Sequence, residues 1–387
     1  MVDQTPDETA SDAVASDALP FFAEFNLGWE LDKALQNMGY RTPTPIQALA
    51  IPHAIEGRDI IGQARTGTGK TAAFAIPMLK KLTNRIPGYP KGLILAPTRE
   101  LASQIKDEMR KLAVFKKARI VDVVGGRSID RQIRVLRKGA HVVVGTPGRI
   151  LDMYDRGALI LDFVETCVLD EADEMLNMGF QEDVEDILRL LPEERQTFLF
   201  SATMEERIMG IAFNHMVDPK IVRIKETATN LSNIVEHFHL IHPAERMKTL
   251  MDVLDRESEG QSLIFCRTKR EVDSVAESLV RNSYNVEAIH GDFRQARRDK
   301  VMKKFKEGHT DILVATDVAA RGIHVDNITT VINFRLPEDP TTYVHRIGRT
   351  GRIGKNGVAI TLYTIDQKYL LKDFRDRAKA HIEQMTG

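Results

Sequence analysis

The chain has 387 residues, of which 43% are hydrophobic and 28% charged, with a formal net charge of −1. This length suits two ordinary domains, each large enough to bury its own core. No uninterrupted apolar stretch approaches the roughly 18 residues of a membrane span, and no basic segment followed by an apolar one opens the chain. We therefore expect neither a membrane partner nor a secretory signal.

The beginning of the chain is strongly acidic. Residues 1–24 contain no lysine or arginine but six acids, namely Asp3, Asp7, Glu8, Asp12, Asp17 and Glu24. Without them the net charge of the remaining chain is +5 instead of −1, a balance that allows an anionic partner. Residues 1–19 are rich in Asp, Ser, Thr and Ala, with little to bury, which predicts a disordered acidic tail.

From about residue 55 onward, short aliphatic and β-branched runs alternate with helical patterns. The runs lack clean alternation, which is typical of strands buried on both faces of a parallel sheet. They lie at residues 59–62, 92–97, 119–124, 142–145, 166–169, 197–200 and 220–224, and again at 262–266, 286–289, 311–315, 330–333 and 358–362. Alternation with helices predicts βαβ units and a doubly wound α/β fold.

A polar, non-periodic segment at residues 225–233 separates the two sets of runs. It predicts a linker between an N-terminal domain at 20–224 and a C-terminal domain at 234–387. A last helical pattern covers residues 366–381. The two cysteines, Cys167 and Cys266, each fall in a strand-like run. They are expected to be buried reduced thiols, as in a cytoplasmic protein.

A glycine-rich loop follows the first strand-like run and precedes a helical pattern at 72–82. This is the context of a phosphate-binding loop. Its glycines let backbone N–H groups face phosphate oxygens, Lys70 offers an ammonium to the β- and γ-phosphates, and the Thr71 hydroxyl offers a ligand to Mg²⁺. Ala64 stands where glycine is common, which predicts a slight change in loop shape. The predicted loop residues are Ala64, Arg65, Thr66, Gly67, Thr68, Gly69, Lys70 and Thr71.

Acidic residues follow the buried run at 166–169. Asp170 at the strand end can hold Mg²⁺, and Glu171 can orient and deprotonate an attacking water. Acids also favour helix N-termini, and Asp173 is open to that capping role. Together with the loop, these residues predict a nucleoside triphosphatase.

These motifs, and others in the same order, resemble the DEAD-box RNA helicases over about residues 20–380, with the family name spelled by residues 170–173. The other motifs lie at 39–47, 97–101, 125–126, 146–149, 201–203, 263–268, 290–292, 315–322 and 345–352. The resemblance implies two RecA-like doubly wound parallel-sheet domains in tandem, with ATP and Mg²⁺ as cofactors. It also implies RNA-dependent ATP hydrolysis, in which two closing domains bind the RNA backbone and locally unwind short duplexes.

Within the nucleotide site, the resemblance assigns Gln47 to reading adenine, because its amide carries a donor beside an acceptor. Tyr40 resembles the aromatic that stacks on the base, and Thr42 shapes the loop. Phe22 is either the isolated upstream aromatic or a core anchor. Gly322 and His324 complete the set; His324 stands where many members carry an Asp thought to bond the ribose, which weakens the predicted sugar contact.

The residues that match RNA-contacting positions are rich in small side chains, hydroxyls and arginines. They offer no aromatic platform, which favours backbone and 2′-OH recognition without sequence preference. They are Pro97, Thr98, Arg99, Gly125, Gly126, Arg127, Thr146, Pro147, Gly148, Arg149, Arg267, Gly291, Arg298 and Thr316. Most lysines of the basic run at 294–306 fit a solvated helix face.

Arg349 and Arg352 resemble arginine fingers that reach the γ-phosphate when the domains close, and His345 belongs to the same motif. The hydroxyls of Ser201 and Thr203 are predicted to bond Asp173, or to form a simple turn. Two rival functions remain open: a translocating DNA helicase or other P-loop ATPase, and an ATP-dependent RNA clamp with low turnover. We expect a cytoplasmic monomer.

Overall fold

The protein is described by a computed structural model covering residues 20–64, 67–82, 88–224, 233–257, 260–320, 325, 327–351, 356–371, 374 and 382–383. The chain divides into two compact units after Lys225. The predicted tail at 1–19 and the predicted linker, except Asn233, lie outside the described residues. None of the described helices is long and apolar enough to cross a membrane.

The first unit is a seven-stranded sheet in which every pairing is parallel. Its strands are β1 (Ile60–Gln63), β2 (Gly92–Leu95), β3 (Ile120–Val123), β4 (Val142–Gly145), β5 (Thr166–Asp170), β6 (Gln196–Ser201) and β7 (Lys220–Arg223). Its helices are α1 (Trp29–Asn37), α2 (Pro45–Ile55), α3 (Lys70–Lys81), α4 (Arg99–Leu112), α5 (Ile129–Leu136), α6 (Pro147–Asp155), α7 (Ala172–Asn177), α8 (Gln181–Leu190) and α9 (Glu206–His215), preceded by a 3₁₀ turn at Phe22–Phe25. Two hydrophobic clusters, one on each face of the sheet, bury these helices against it.

The second unit is also a seven-stranded parallel sheet. Its strands are β8 (Ile234–Leu240), β9 (Gln261–Cys266), β10 (Val286–Ile289), β11 (Ile312–Thr316), β12 (Ile328–Asn333), β13 (Gly357–Tyr363) and β14 (Ile382–Glu383). Its helices are α10 (Arg246–Glu257), α11 (Lys269–Arg281), α12 (Gln295–Lys306), α13 (Asp317–Ala320) and α14 (Pro340–Ile347), with 3₁₀ turns at Pro243–Glu245 and Ile365–Gln367.

The two sheets have the same topology. Their orders are β3-β4-β2-β5-β6-β1-β7 and β10-β11-β9-β12-β13-β8-β14, so each unit counted from its own first strand reads 3-4-2-5-6-1-7. The predicted fold class, two doubly wound parallel α/β units in tandem, is confirmed. In such sheets ligands bind beyond the carboxyl ends of the strands, which is where the predicted site residues lie.

The two cysteines are free and buried, as predicted. Burial in an apolar strand disfavours the thiolate, and it raises the pKa of Cys167 to about 12. The pKa of Cys266 is also raised well above its usual value, again chiefly by burial. Both thiols are therefore packing residues rather than nucleophiles.

Two features of the second unit differ from the prediction. No strand was predicted at β8, although its buried residues alternate with more exposed ones along Ile234, Glu236 and Phe238. It lies between β13 and β14. Strand β14 was not predicted either, whereas the predicted helix at 366–381 is confirmed in part. Leu370, Leu371 and Phe374 are helical after the 3₁₀ turn at Ile365–Gln367, and residues 372–373 and 375–381 lie outside the described residues.

Candidate functional site

The loop after β1 turns into α3 through two glycines with positive φ, Gly67 at +83° and Gly69 at +91°. Glycine adopts this backbone conformation without steric cost. A Cβ added at Gly69 would lie 2.4 Å from Nε2 of Gln47, so a larger residue would displace the Gln47 amide in addition to straining the backbone. The loop predicted to hold phosphate therefore has the required backbone, with Lys70 in the first turn of the helix.

Gln47, the residue assigned to adenine, is buried against this loop. Its Nε2 donates to the carbonyl of Gly69 at 2.9 Å, and its Oε1 accepts from the backbone N–H of Thr44 at 2.9 Å. The second bond caps the first turn of α2. The first bond thus ties α2 to the phosphate loop, a contact that the sequence did not predict.

Lys70 and Asp170 bring opposite charges together at the adjacent ends of α3 and β5. Lys70 Nζ lies 3.8 Å from Asp170 Oδ1, and both side chains are buried. The ammonium has no hydrogen-bond partner within the described structure. Burial raises the pKa of Asp170, against the opposing effect of Lys70. A buried ammonium without a hydrogen bond fits an anion such as a phosphate oxygen.

Glu171 follows in a left-handed conformation, with φ 53° and ψ 52°. For a residue with a side chain this costs about 1–2 kcal/mol. Its backbone N–H donates to Asp170 Oδ1 at 3.0 Å, and its side chain is buried. The strained turn places both carboxylates at the strand end, beside the phosphate loop. Such strain is often found at functional positions.

Asp173 connects this acidic turn to the end of β6. Its Oδ2 accepts from the backbone N–H groups of Ala202 at 3.1 Å and Thr203 at 3.2 Å. Ser201 Oγ accepts from the N–H of Thr203 at 3.2 Å, and Thr203 Oγ1 is buried without a partner. Of the two predicted alternatives, the simple turn is confirmed at Ser201, and Thr203 Oγ1 does not make the bond to Asp173. The main chain makes this contact because the serine hydroxyl closes a local turn that points the amides at the carboxylate.

Mg²⁺ would have to be shared between protein and nucleotide. Among the described residues, no three His, Cys, Asp or Glu side chains form a metal-binding group. Mg²⁺ usually takes one or two protein oxygens and completes its shell with water and phosphate. Asp170 at the strand end and Thr71, half-buried in the first turn of α3, fit that partial donor set.

The other residues assigned to ATP are placed unevenly. Phe22 is buried in the core, edge-on to Phe25 at 6.1 Å, as the core-anchor alternative requires. Tyr40 is 36% exposed and Thr42 is exposed. Ala64 is buried and donates its N–H to the carbonyl of Ser201 at 3.0 Å. Arg65, Thr66, Gly322 and His324 lie outside the described residues.

A second group of predicted residues gathers at the ends of β2, β3 and β4. The guanidinium of Arg99 lies against the two glycines after β3, where a Cβ on Gly126 would come 2.1 Å from Arg99 Nη1. Gly126 also has φ +72°. Arg149 donates from Nη1 to the carbonyl of Arg127 at 3.4 Å. Three motifs far apart in sequence therefore form one edge of small residues and arginines.

Arg127 is tied back into the domain. It forms an ion pair with Asp122 and donates to Ser103 Oγ at 3.1 Å, while Lys106 Nζ lies 3.0 Å from the same carboxylate. Burial would raise the pKa of Asp122, but Lys106 and Arg127 outweigh it and lower the pKa below the usual value. The pair fixes the loop after β3 and engages part of the Arg127 side chain.

The remaining first-unit residues sit at helix starts. Thr98 caps α4 by accepting from the N–H of Leu101 at 3.2 Å, with Pro97 buried before it. Thr146 precedes α6, whose first residue is Pro147, and Gly148 is exposed in that first turn. Helix N-termini supply backbone N–H groups to anions such as phosphodiesters, and the exposed Gly148 leaves the first turn of α6 accessible.

In the second unit the predicted residues also lie at strand ends. Arg267 follows β9, donates its N–H to Glu271 at 2.9 Å and forms an exposed ion pair with Glu338. Gly291 is exposed after β10, Thr316 ends β11, and Arg298 is half-buried on α12. They repeat the pattern of the first unit, with side chains and backbone at the ends of its second to fourth strands.

Helix α14 contains His345, and the buried Arg349 lies two residues after the end of this helix. Arg352 lies outside the described residues. The sequence assigned no role to Arg346, yet this side chain anchors the helix. It contacts both carboxylate oxygens of Asp317, at 2.6 and 2.8 Å, and donates to Asn333 Oδ1 at 3.0 Å. Only its place inside the arginine-rich motif could have drawn attention to it.

Comparisons with known proteins agree with this arrangement. A family model described as DEAD/DEAH box helicase matches residues 44–211, and one described as helicase conserved C-terminal domain matches residues 245–354. The chain is 48% identical to DEAD-box ATP-dependent RNA helicase CshA of Geobacillus kaustophilus, covering 94% of this chain and 78% of the relative. It is 46% identical to CshA of Bacillus subtilis, covering 94% and 74%.

Solved structures extend the likeness to the fold. Saccharomyces cerevisiae Dbp5 bound to RNA and ADP BeF3 superposes with a TM-score of 0.86 at 31% identity, covering 94% of this chain and 95% of that one. A DEAD box protein from Methanococcus jannaschii is 41% identical with a TM-score of 0.55, covering 95% and 99%. These matches confirm the RecA-like fold class.

Proposed function

Since the chain belongs to the family of DEAD-box ATP-dependent RNA helicases, we propose that it binds the RNA backbone between two closing domains and locally unwinds short RNA duplexes. ATP hydrolysis resets the open state. The observation that carries this proposal is the buried Lys70 ammonium 3.8 Å from Asp170, beside the strained Glu171 turn. It is a charge arrangement that a bound triphosphate would complete.

The residues of the first unit divide the chemistry. Lys70 and the N–H groups of the glycine loop bind and orient the β- and γ-phosphates. Glu171 positions the attacking water and takes its proton, since it is the carboxylate next to the Asp170 site. Asp170 and Thr71 would hold a Mg²⁺ ion, which would supply charge neutralisation of the phosphates.

Arg349, with Arg352 and His345 of the same motif, supplies the second unit's share of the catalytic site. A guanidinium near the γ-phosphate stabilises the charge that spreads over its oxygens in the transition state. Arg346 keeps the helix in place through its bidentate contact with Asp317. Hydrolysis then requires both units to meet around the nucleotide.

RNA recognition is proposed for the strand-end residues of both units. Hydroxyls, arginines and backbone N–H groups suit sugar and phosphate contacts, which carry no sequence information. Bending one strand breaks base stacking in its partner, and each lost step costs of the order of 1.4 kcal/mol. A grip on a few nucleotides offsets only several such steps, so short duplexes melt and long ones resist.

The division of ligands between the units makes ATP and RNA binding cooperative. Lys70 and Asp170 belong to one unit and Arg349 to the other, and the RNA residues are split in the same way. Once a first ligand has brought the units together, the conformational entropy of the open state is already lost. The second ligand therefore binds more tightly. The coupling is mutual and of the order of 1–3 kcal/mol, or roughly 5–150-fold in affinity.

The proposed cellular location depends on the two cysteines alone. Two buried, free thiols are compatible with a reducing cytoplasm, and we propose a monomer there. The rival clamp function would use the same residues with little turnover.

The test is Glu171→Gln, with the exposed Glu182→Gln as matched control. Glu171→Gln keeps the size of the side chain but removes the base, so ATP turnover falls by about 10²–10⁴-fold. Because ATP then persists, RNA affinity measured by fluorescence anisotropy rises by roughly 5–150-fold when ATP is added. The control keeps normal turnover.

Near-normal turnover of Glu171→Gln would assign the base elsewhere. RNA affinity that is indifferent to ATP would end the closure scheme. Wild-type ATP turnover that RNA does not stimulate would favour the clamp.

A further inference from the structure

One surface of the first unit, formed by α1 and the residues just after α4, carries an exposed tryptophan beside a half-buried phenylalanine. Trp29, the only tryptophan of the chain, is 64% exposed, and its ring centroid lies 6.2 Å from that of Phe115. Lys33 Nζ lies 5.3 Å from the centroid of Phe115, and neighbouring Val114 is 56% exposed. We call Trp29, Lys33, Val114 and Phe115 the α1–α4 patch. Contiguous exposed apolar surface of this kind marks interaction sites.

The surroundings of the α1–α4 patch are basic. Residues 110–119 contain no acid and five basic side chains, Arg110, Lys111, Lys116, Lys117 and Arg119. Glu30 of α1 offsets part of this charge, since it acts on Lys116, while Asp32 acts on Lys80 of α3. Lys33, Lys111 and Lys117 remain exposed. The patch therefore suits a partner that is acidic and partly apolar.

We propose that the α1–α4 patch is the docking surface for the chain's own residues 1–19. This segment carries Asp3, Asp7, Glu8, Asp12 and Asp17 and no lysine or arginine. Val14 and Leu19 stand among its acids, so the segment offers apolar groups to the rings as well as carboxylates to the lysines. The segment contains too few apolar residues to bury apolar surface by itself, and the α1–α4 patch offers it such surface.

The connection between segment and patch favours this partner. The segment ends one residue before Pro20, and Trp29 follows nine residues later. Nineteen residues span up to about 65 Å when extended, so the acids reach the patch without strain. A tethered segment also has an effective concentration of the order of millimolar, which a separate molecule must outcompete.

Single-stranded RNA is the rival occupant, because aromatic rings with lysines also bind nucleic acid. The position argues against it. Helix α4 starts at Arg99, on the edge assigned to RNA, and its 14 residues carry the patch to the opposite end, about 21 Å away. The patch is thus separate from the proposed ATP and RNA sites, and this inference stands without them.

Trp29 supplies the test, since its fluorescence is the only tryptophan signal of the chain. Acrylamide quenching is compared between the full chain and a variant lacking residues 2–19, both at low salt. Removal of the segment raises the quenching constant by about twofold, as expected when roughly half of the exposed ring surface had been covered. In 1 M salt, where charges are screened within about 3 Å, the full chain approaches the truncated value.

Point variants locate the contact. Lys33→Glu with Lys117→Glu raises quenching in the full chain to the truncated level and changes nothing in the truncated chain. Lys303→Glu, an exposed lysine of α12, is the matched control and leaves the protection intact. A full-length variant with the five acids changed to Asn or Gln repeats the effect of truncation without shortening the chain.

Equal quenching in the full and truncated chains would overturn the proposal. The proposal would also fail if a single-stranded RNA oligomer, added without ATP, protected Trp29 equally in the full chain and in the chain lacking residues 2–19. That result would make the α1–α4 patch an RNA platform.

Discussion

The two sheets are built alike but carry opposite charges at one equivalent connection. Each has the order 3-4-2-5-6-1-7 when counted from its own first strand. The first unit carries Asp170 at the end of its fifth strand, followed by Glu171 and Asp173, whereas the second unit carries Arg346 and Arg349 between its fifth and sixth strands. The shared fold therefore does not determine which chemical group of a ligand each unit binds. The residues on the loops determine it.

The ends of the second to fourth strands are more similar between the units. Thr98 follows β2 and caps α4, and Thr268 follows β9 and caps α11, with the same 3.2 Å bond from the third following backbone N–H. Exposed glycines follow the third strand in each unit, at Gly126 and Gly291. The half of each sheet proposed for RNA is thus repeated, and the half proposed for the nucleotide has diverged.

The first strands show that divergence most clearly. β1 leads into the glycine loop and Lys70, while β8 leads into the 3₁₀ turn at Pro243–Glu245, which contains no glycine. Without glycines in left-handed conformations the backbone N–H groups cannot converge on an anion as they do after β1. Among the described residues, a glycine loop of this kind follows the first strand of the first unit only, and the contribution proposed for the second unit is the guanidinium of Arg349.

The largest effect is expected from removing that contribution. Arg349→Ala lowers RNA-stimulated ATP turnover by about 10³-fold or more, because the transition-state charge loses its guanidinium. Steady-state ATPase assays at saturating RNA measure it. The control is Arg281→Ala, which removes an exposed arginine paired with Glu277 and keeps normal turnover. Activity of Arg349→Ala within a few-fold of wild type would remove the second unit from the chemistry.

An intermediate effect is expected at Gln47. Gln47→Ala weakens ATP binding and relaxes selectivity against GTP, since a lost base-edge pair removes about 1–3 kcal/mol of discrimination. Competition binding of ATP and GTP measures it, with the exposed Gln36→Ala on α1 as control.

The hydrogen bond from Gln47 to the phosphate loop offers a second explanation for weaker ATP binding in this variant. Gln47 also holds the carbonyl of Gly69, so loss of this contact alone would weaken ATP and GTP equally. Equal weakening would make Gln47 a positioning residue of the phosphate loop instead of an adenine reader.

The smallest effect tests the repeated half of the sheets. Thr98→Ala and Thr268→Ala each remove one helix cap, at a cost of about 1 kcal/mol. Hydrogen exchange at the amides of Leu101 and Glu271 therefore quickens by roughly fivefold, each only in its own variant. Thr→Ser replacements keep the hydroxyl and the protection. If hydrogen exchange quickened by different factors at Leu101 and Glu271, the two helix caps would differ in stability despite their equal bond lengths.

The sequence by itself determined the local features of this protein. The aliphatic runs predicted all seven strands of the first sheet, and the glycine-rich loop was correctly placed between the first strand and the following helix. The burial of Cys167 and Cys266 followed in the same way. These features depend on neighbouring residues, whose periodicity and backbone preferences act over a few positions.

Only the tertiary structure decided which distant groups meet. Hydrogen bonds join Gln47 to Gly69, Ala202 to Asp173 and Arg346 to Asp317. The partners of each pair are 22 to 29 positions apart in the sequence. The strand β8 and the α1–α4 patch likewise became visible only in the folded chain. The reason is physical: a hydrogen bond or ring contact requires distances of a few ångströms, and the packing of helices on the sheet, rather than the order of residues, sets those distances.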